Sequence, residues 1–485
     1  MKAAALPLVL VPALGAVQGG FQPDAWVWAG ALAAWAAAVA LIASTSPGLL
    51  RAQWPWATAA GAVLAWTALS AIWSSRTSQS ILEARRAIVY AAVVLALLLL
   101  ARRGTTRAIV LATAAGTGGL VLYALFRYLL GTRHYDTFEA FSLNQPLGYA
   151  NAVGILAAIA TLLALGIAAA ESGRLGLVAA ATAPPLLLAL TLTSSDASWL
   201  ALGAGIALIA VLLPEPQRLV AVLIAVAVPC AALIVLGKLS RITEVVATPR
   251  IGGTVLFIAA LAGAVTAAAS LAGIRRMRVR APHHLRRAIL VVIVVLALGG
   301  AAAVAHTGAT EPRKSYYSVA WHDYTAHPLL GSGAGTYGFA WARSGKPTEF
   351  GGALDAHSLY LETLAELGAI GLVLVLVLLL IPLRALRVAR TPYVAAALGG
   401  YVAFLIHAGL DWDWELPAIV VAGLACGAAA LAAMPAETAP MNQRRRFALV
   451  AIALVLAGCA IAGARSHAVP SADKARAPHN SGALS

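Results

Sequence analysis

Apolar runs of about 18 or more residues recur from one end of the chain to the other. Each is long enough to cross a hydrocarbon core of roughly 30 Å as a helix. Taken in order, they predict helices near 4–18, 25–46, 54–73, 83–101, 107–127, 147–170, 175–193, 197–213, 218–237, 251–273 and 287–305. A second group follows near 359–383, 393–411, 415–434 and 446–464. The fold expected is all-α and polytopic, with roughly fourteen or fifteen membrane helices. The runs do not alternate apolar with polar positions, which excludes a transmembrane barrel. Pro184 and Pro185 should kink or interrupt the helix near 175–193, because proline removes a backbone donor; neighbouring helices can absorb that loss.

One long interruption breaks the pattern. Residues 306–358 carry the polar chemistry that the rest of the chain lacks, and hydrophobicity resumes only behind Gly368. The organisation expected is one membrane domain: helices over 1–305, a polar segment over 306–358, helices over 359–464 and a tail over 465–485. The tail is rich in Ala, Ser, Pro and basic residues without an apolar period, and is expected to be disordered.

Composition agrees with this pattern and charge orients it. The chain is 61% hydrophobic and only 11% charged, against roughly 25% charged in soluble domains. Its formal charge of +15 resides in short loops between apolar runs, so it reads as the positive-inside rule rather than a nucleic-acid surface. Lys2, Arg51, Arg102, Arg103, Arg107, Arg174, Arg218, the cluster from Arg275 to Arg287, Arg384, Arg387, Arg390 and Arg444 to Arg446 fall in alternate loops and mark the cytoplasmic side. The polar segment then faces outward, where chemistry cannot draw on cytoplasmic nucleotides. Cys230, Cys426 and Cys459 sit inside apolar runs with no metal-ligand spacing and read as small core residues. Residues 3–17 resemble a signal peptide, and a cleaved or an uncleaved first helix gives the same orientation.

Several polar residues are candidates for chemistry. Arg313 presents a guanidinium fork suited to phosphate oxygens just beyond a membrane helix, or is a solvated interfacial arginine beside Lys314. His357, just before the helix near Leu359, is placed to act as a base or as a phosphate donor, or is structural; His306, His322 and His327 are rivals. Glu362 and Glu366, four apart on one helix face, either orient these groups, bind substrate, or serve as first-turn acids. The run Gly331-Ser332-Gly333-Ala334-Gly335 can bring amides to an anion or form a turn; it lacks the ending of a nucleotide P-loop. Asp411-Trp412-Asp413-Trp414-Glu415, with His407 before it, offers interfacial tryptophans and three acids for a sugar acceptor or a cation.

At these residues the chain resembles the O-antigen ligase and O-antigen polymerase family of bacterial envelope membrane proteins, in its high-GC Gram-positive form. The resemblance rests on Arg313 followed by His327-Pro328-Leu329-Leu330-Gly331-Ser332-Gly333, and on His357 through Glu366 and Gly368 to Gly371, with Ser358 where asparagine is usual. The segment from Gln145 to Ala152 and that from His407 to Pro417 also look familiar from such relatives. The family implies a cofactor-free, metal-independent transfer of a glycan from a polyprenyl diphosphate carrier to an acceptor hydroxyl. That acceptor is a glycan, a lipid or a protein at the outer face of the bacterial cytoplasmic membrane. By this resemblance Arg313 would hold the diphosphate and His357 would serve the acceptor or the diphosphate; His327, Glu362 and Glu366 are further candidates for substrate binding on their position in the chain alone. Ligase and polymerase share this chemistry.

Two departures stand out. Where the family often has a second arginine in a Ser-Arg-Gly-like motif, this chain reads Ser194-Ser195-Asp196-Ala197-Ser198, and Tyr317 stands where a tryptophan is common. Aspartate cannot clamp an anion, so either Arg133, Arg241 or Arg250 supplies the second cation, or the activity is altered or lost. The competing class is a non-catalytic protein or a transporter of envelope assembly. A transporter would show charged or broken helices and repeat symmetry, and neither stands out here.

Overall fold

The computed structural model describes residues 2–43, 53–101, 104–133, 135–213, 216–244, 249–276, 288, 291, 311–346, 353–435 and 442–466. The helix expected near 287–305, apart from residues 288 and 291, lies outside them, as do His306 and residues 467–485 of the tail. Among the described residues there are sixteen α-helices and no strand, only an isolated bridge between Asp136 and Ala140. The first ten are α1 (Lys2–Gly15), α2 (Pro23–Ala43), α3 (Trp54–Leu69), α4 (Thr77–Leu100), α5 (Thr106–Leu130), α6 (Ala150–Ala170), α7 (Arg174–Thr193), α8 (Asp196–Leu212), α9 (Pro216–Ser240) and α10 (Gly253–Arg276). They are followed by α11 (Glu311–Ala326), α12 (Tyr337–Arg343), α13 (Leu359–Leu380), α14 (Pro392–Ala408), α15 (Pro417–Leu431) and α16 (Gln443–Ser466).

Eight of the described helices are long and apolar enough to cross a membrane, and four shorter apolar helices accompany them. The chain is an all-α polytopic membrane protein, as the hydropathy pattern predicts. Within the polar segment the structure adds two helices, α11, too polar for hydropathy to announce, and α12, too short. Helix α7 continues through Pro184 and Pro185 without interruption. Helix α1 packs into the core, with Leu6, Leu10, Val11 and Leu14 buried. Cys230 and Cys426 are buried, but Cys459 is exposed on α16, a correction to the core placement expected of it.

The centre of the bundle is α6, with α14 and α15 beside it, and all three are apolar and buried almost throughout. Small residues permit the close approach, as expected where lipid gives no hydrophobic drive between helices. Gly205 of α8 and Gly399 of α14 face each other so closely that a Cβ on either would lie about 3 Å from the other's carbonyl oxygen.

Helix α6 also sets the axis of the molecule. Its 21 residues rise about 31 Å, enough to span a hydrocarbon core. At its C-terminal end Glu171 pairs with Arg107 at 2.8 Å and with Tyr393. There Arg275 also donates to the carbonyls of Ala168 and Glu171 at 2.7 and 2.8 Å. At its N-terminal end Tyr149 and Asn151 bond Asp411. Arginines gather at one end of α6 and the polar segment's partners at the other.

Candidate functional site

The site is built around a break in α13. Gly368 takes a φ of 68° and a ψ of −173°, a conformation open essentially to glycine alone, and the helix is interrupted there. Freed backbone groups at membrane depth must find partners, and the His-Pro-Leu-Leu-Gly-Ser-Gly run supplies them. Ser332 N–H donates to the Ala365 carbonyl at 3.1 Å and Gly333 N–H to Glu366 at 2.8 Å, while Ala369 N–H donates to Pro328 at 2.9 Å. The Trp66 indole covers the Leu367 carbonyl at 3.0 Å. The glycine-rich run therefore pairs with backbone. A Cβ at Gly331 would sit 2.2 Å from the Glu366 carbonyl, and one at Gly368 would sit 2.2 Å from the Leu329 oxygen.

Glu362 and Glu366 are both buried and bonded to backbone amides. Glu366 accepts from Gly335 N–H at 2.7 Å and Tyr337 N–H at 2.8 Å, which fixes the start of α12. Glu362 accepts from Ala356 N–H at 2.7 Å and so holds the residues just before His357. Carboxylates this costly to bury are retained where amides neutralise them.

His357 itself has a left-handed φ of 51°. Its Nδ1 lies 2.7 Å from Asp355 Oδ1, close but off the line of a hydrogen bond, and the same oxygen accepts the His357 backbone N–H at 3.0 Å. The ring stacks on Tyr316 with centroids 4.7 Å apart and planes 24° apart. Tyr316 in turn abuts Trp341 of α12, edge to face. Arg313 lies three residues before Tyr316 on α11, one helical turn away on the same face. Burial pulls the His357 imidazolium down, but the carboxylate of Asp355, with Asp411 beyond it, more than offsets this. Its pKa is raised, with Arg313 acting in opposition. Arg313 and His357 thus act on each other electrostatically.

Behind Arg313 stands a fully buried carboxylate. Asp411 Oδ2 lies 3.6 Å from Arg313 Nη2, and the Asp411 side chain is wholly enclosed while that of Arg313 is one-quarter exposed. Asp411 also accepts from the Tyr149 hydroxyl at 2.6 Å, from the Asn151 amide, and from Trp412 N–H at 2.8 Å. Two segments noted for their family look, 145–152 and 407–417, therefore meet here. Next to them His407 Nε2 bonds Ser198 Oγ at 2.9 Å, Ser198 bonds Ser195 at 2.8 Å, and His407 Nδ1 lies 3.0 Å from Asp413. Ser195, Ser198, His407 and Asp413 are all buried, whereas Asp196 is exposed in the first turn of α8, where the helix dipole favours an acid.

The other candidate residues lie apart. Arg133 donates to the Ile242 carbonyl at 2.7 Å and lines a small cleft with Arg127 and Asn144. Arg250 is exposed, and Arg241 pairs with Glu244. Among the described residues none of the three contacts Arg313, His357 or Asp411. His327 lies just past the far end of α11, about 20 Å along the helix from Arg313. Sequence reasoning missed Asp355, two residues before the histidine it serves, and Arg86 of α4. Arg86 pairs with Glu83 and with Glu415 at 3.1 Å. Burial pushes Glu415 up to about 7 against the pull of Arg86. The available signal for Arg86 was an arginine with a glutamate one turn away inside an apolar run.

Residues 181–376 match the family model described as O-Antigen ligase. The matched segment contains Arg313, His327 and His357, with the broken helix around Gly368, and stops before Asp411. Among curated proteins no match is found. The chain is a multi-pass membrane protein, and its segment 181–376 is similar to the O-antigen ligase family.

Proposed function

We propose that this protein transfers a glycan from a polyprenyl diphosphate carrier to an acceptor hydroxyl at the outer face of the bacterial cytoplasmic membrane. The observation that carries the reading is the nearness of Arg313 and His357, which act on each other electrostatically, with Asp411 behind the first and Asp355 beside the second. The outward orientation is supported by the arginines at the opposite end of α6, which the positive-inside rule assigns to the cytoplasm.

In this mechanism the acceptor oxygen attacks the anomeric carbon and loses its proton to His357. Asp355 lies beside Nδ1, so its charge stabilises the imidazolium that forms, and Nε2 is the nitrogen turned from that carboxylate. The bond from the anomeric carbon to the diphosphate breaks, and the departing oxygens carry their growing charge towards the Arg313 guanidinium. Arginine serves this role without a metal. Asp411 holds Arg313 in place and, in this reading, Glu362 and Glu366 position the loop that bears His357 rather than touch substrate. The same chemistry serves a polymerase that joins glycan repeats.

Genetic complementation tests the reading. Deleting the gene should alter surface glycans, and wild-type protein should restore them. Arg313→Ala and His357→Ala variants, present at normal levels in the membrane, should not. Restoration by both variants would contradict the assignment.

A further inference from the structure

From the middle of α11 to its end away from Arg313, two clefts of about 640 and 560 Å³ adjoin and share His327 and Arg343. We propose that together they form a second binding site, for a phosphate- or carboxylate-bearing sugar of a glycan. The larger cleft is walled by Trp73 and by Pro328, Leu329 and Leu330. The smaller adds His322 and Lys346, with Asp323 as its acid.

Three observations point to an anionic sugar. Arg343 and Lys346 are exposed and have no ion-pair partner among the described residues, while Asp323 is buried and engaged by the Ser332 hydroxyl at 2.6 Å. The site therefore offers uncompensated cations to an anion. Trp73 brings an aromatic wall, the surface on which the apolar face of a sugar ring lies. Its indole N–H is enclosed and has no acceptor among the described residues. Arg343 is also firmly presented. It ends α12, whose start is tied to Glu366 and whose Trp341 is buried.

The distance decides what such a site does. Along α11 the site runs from Ser318, about 8 Å beyond Arg313, to His327, about 20 Å beyond it, a length that an oligosaccharide covers and a single sugar does not. The site therefore fits the glycan of the acceptor or of the donor beyond its diphosphate, and not the diphosphate itself. This role in transfer rests on the reading of Arg313 and His357 as the transfer centre; the binding itself does not.

Binding of glucose 1-phosphate to the full-length protein in phosphatidylcholine nanodiscs, followed by equilibrium dialysis, tests the site without turnover. Saturable binding is expected, stronger than that of inorganic phosphate or of glucose and falling with salt. Arg343→Gln with Lys346→Gln should weaken it by about tenfold or more. Both side chains are exposed, and the helical circular dichroism of the double variant should match wild type. Trp73→Phe should weaken binding while Arg313→Gln leaves it intact, even though Arg313→Gln is expected to abolish transfer. The proposal is overturned if the double variant binds as wild type does, if inorganic phosphate binds as tightly as the sugar phosphate, or if phosphatidylglycerol in the nanodisc displaces the sugar, which would mark a lipid headgroup site.

Discussion

Asp411→Asn is the substitution on which the architecture of the site makes its most quantitative statement. At 3.6 Å the Arg313–Asp411 attraction is about 5 kcal/mol gross, at the effective dielectric constant of about 20 that suits partly buried pairs. Arg313 is one-quarter exposed, so solvent screening reduces the net loss to about 1–2 kcal/mol. The amide oxygen of asparagine can still accept from Tyr149 and Trp412, but its NH2 would face the Asn151 amide and Arg313, donors against a donor. That adds about 1–3 kcal/mol for groups left unpaired. The total expected, about 2–5 kcal/mol, should lower the thermal unfolding midpoint of the detergent-solubilised protein. Asp411→Ala should be worse, because it also orphans the Tyr149 hydroxyl and the Trp412 N–H. Transfer should fall by about 10²-fold or more in the folded fraction of Asp411→Asn, the usual effect of misplacing a charge clamp by about 1 Å. An Asp411→Asn protein that melts and transfers like wild type would refute the role given to this carboxylate.

Two further outcomes follow from the same geometry. Asp355→Asn should lower turnover by about 10²- to 10⁴-fold. Because the wild-type His357 pKa is raised, transfer should climb with pH through that raised value, and the acid limb should move to lower pH in the variant; an unmoved limb would separate Asp355 from His357. Gly368→Ala should destabilise the protein by about 3 kcal/mol or more, since it combines a glycine-only conformation with a Cβ 2.2 Å from the Leu329 oxygen. An unchanged yield of monodisperse protein on gel filtration would count against the break in α13 as a built feature.

The membrane helices were legible because each apolar run is long, and length alone decides whether a helix can span. Arg313 and His357 were legible from flanking motifs. Their partners were not, because periodicity carries no information on contacts such as that between Tyr149 and Asp411, 262 residues apart. Burial was the other blind spot. Glu362, Glu366, Asp411 and Asp413 read as interfacial acids in the sequence, yet all are enclosed, each with specific partners that only the fold brings close. The substitution of Asp196 for a family arginine looked like damage to an anion site. In the folded chain Asp196 points out at a helix start, while its neighbours Ser195 and Ser198 hold His407.

The most direct measurement is transfer itself. Wild-type protein in nanodiscs, given lipid-linked glycan extracted from the cell's own membranes together with an acceptor fraction, should release free polyprenyl diphosphate in step with glycan transfer. Arg313→Ala and His357→Ala, folded and reconstituted to the same density, should release essentially none. Release by either variant at the wild-type rate would contradict the assignment of these two residues as the centre of the reaction.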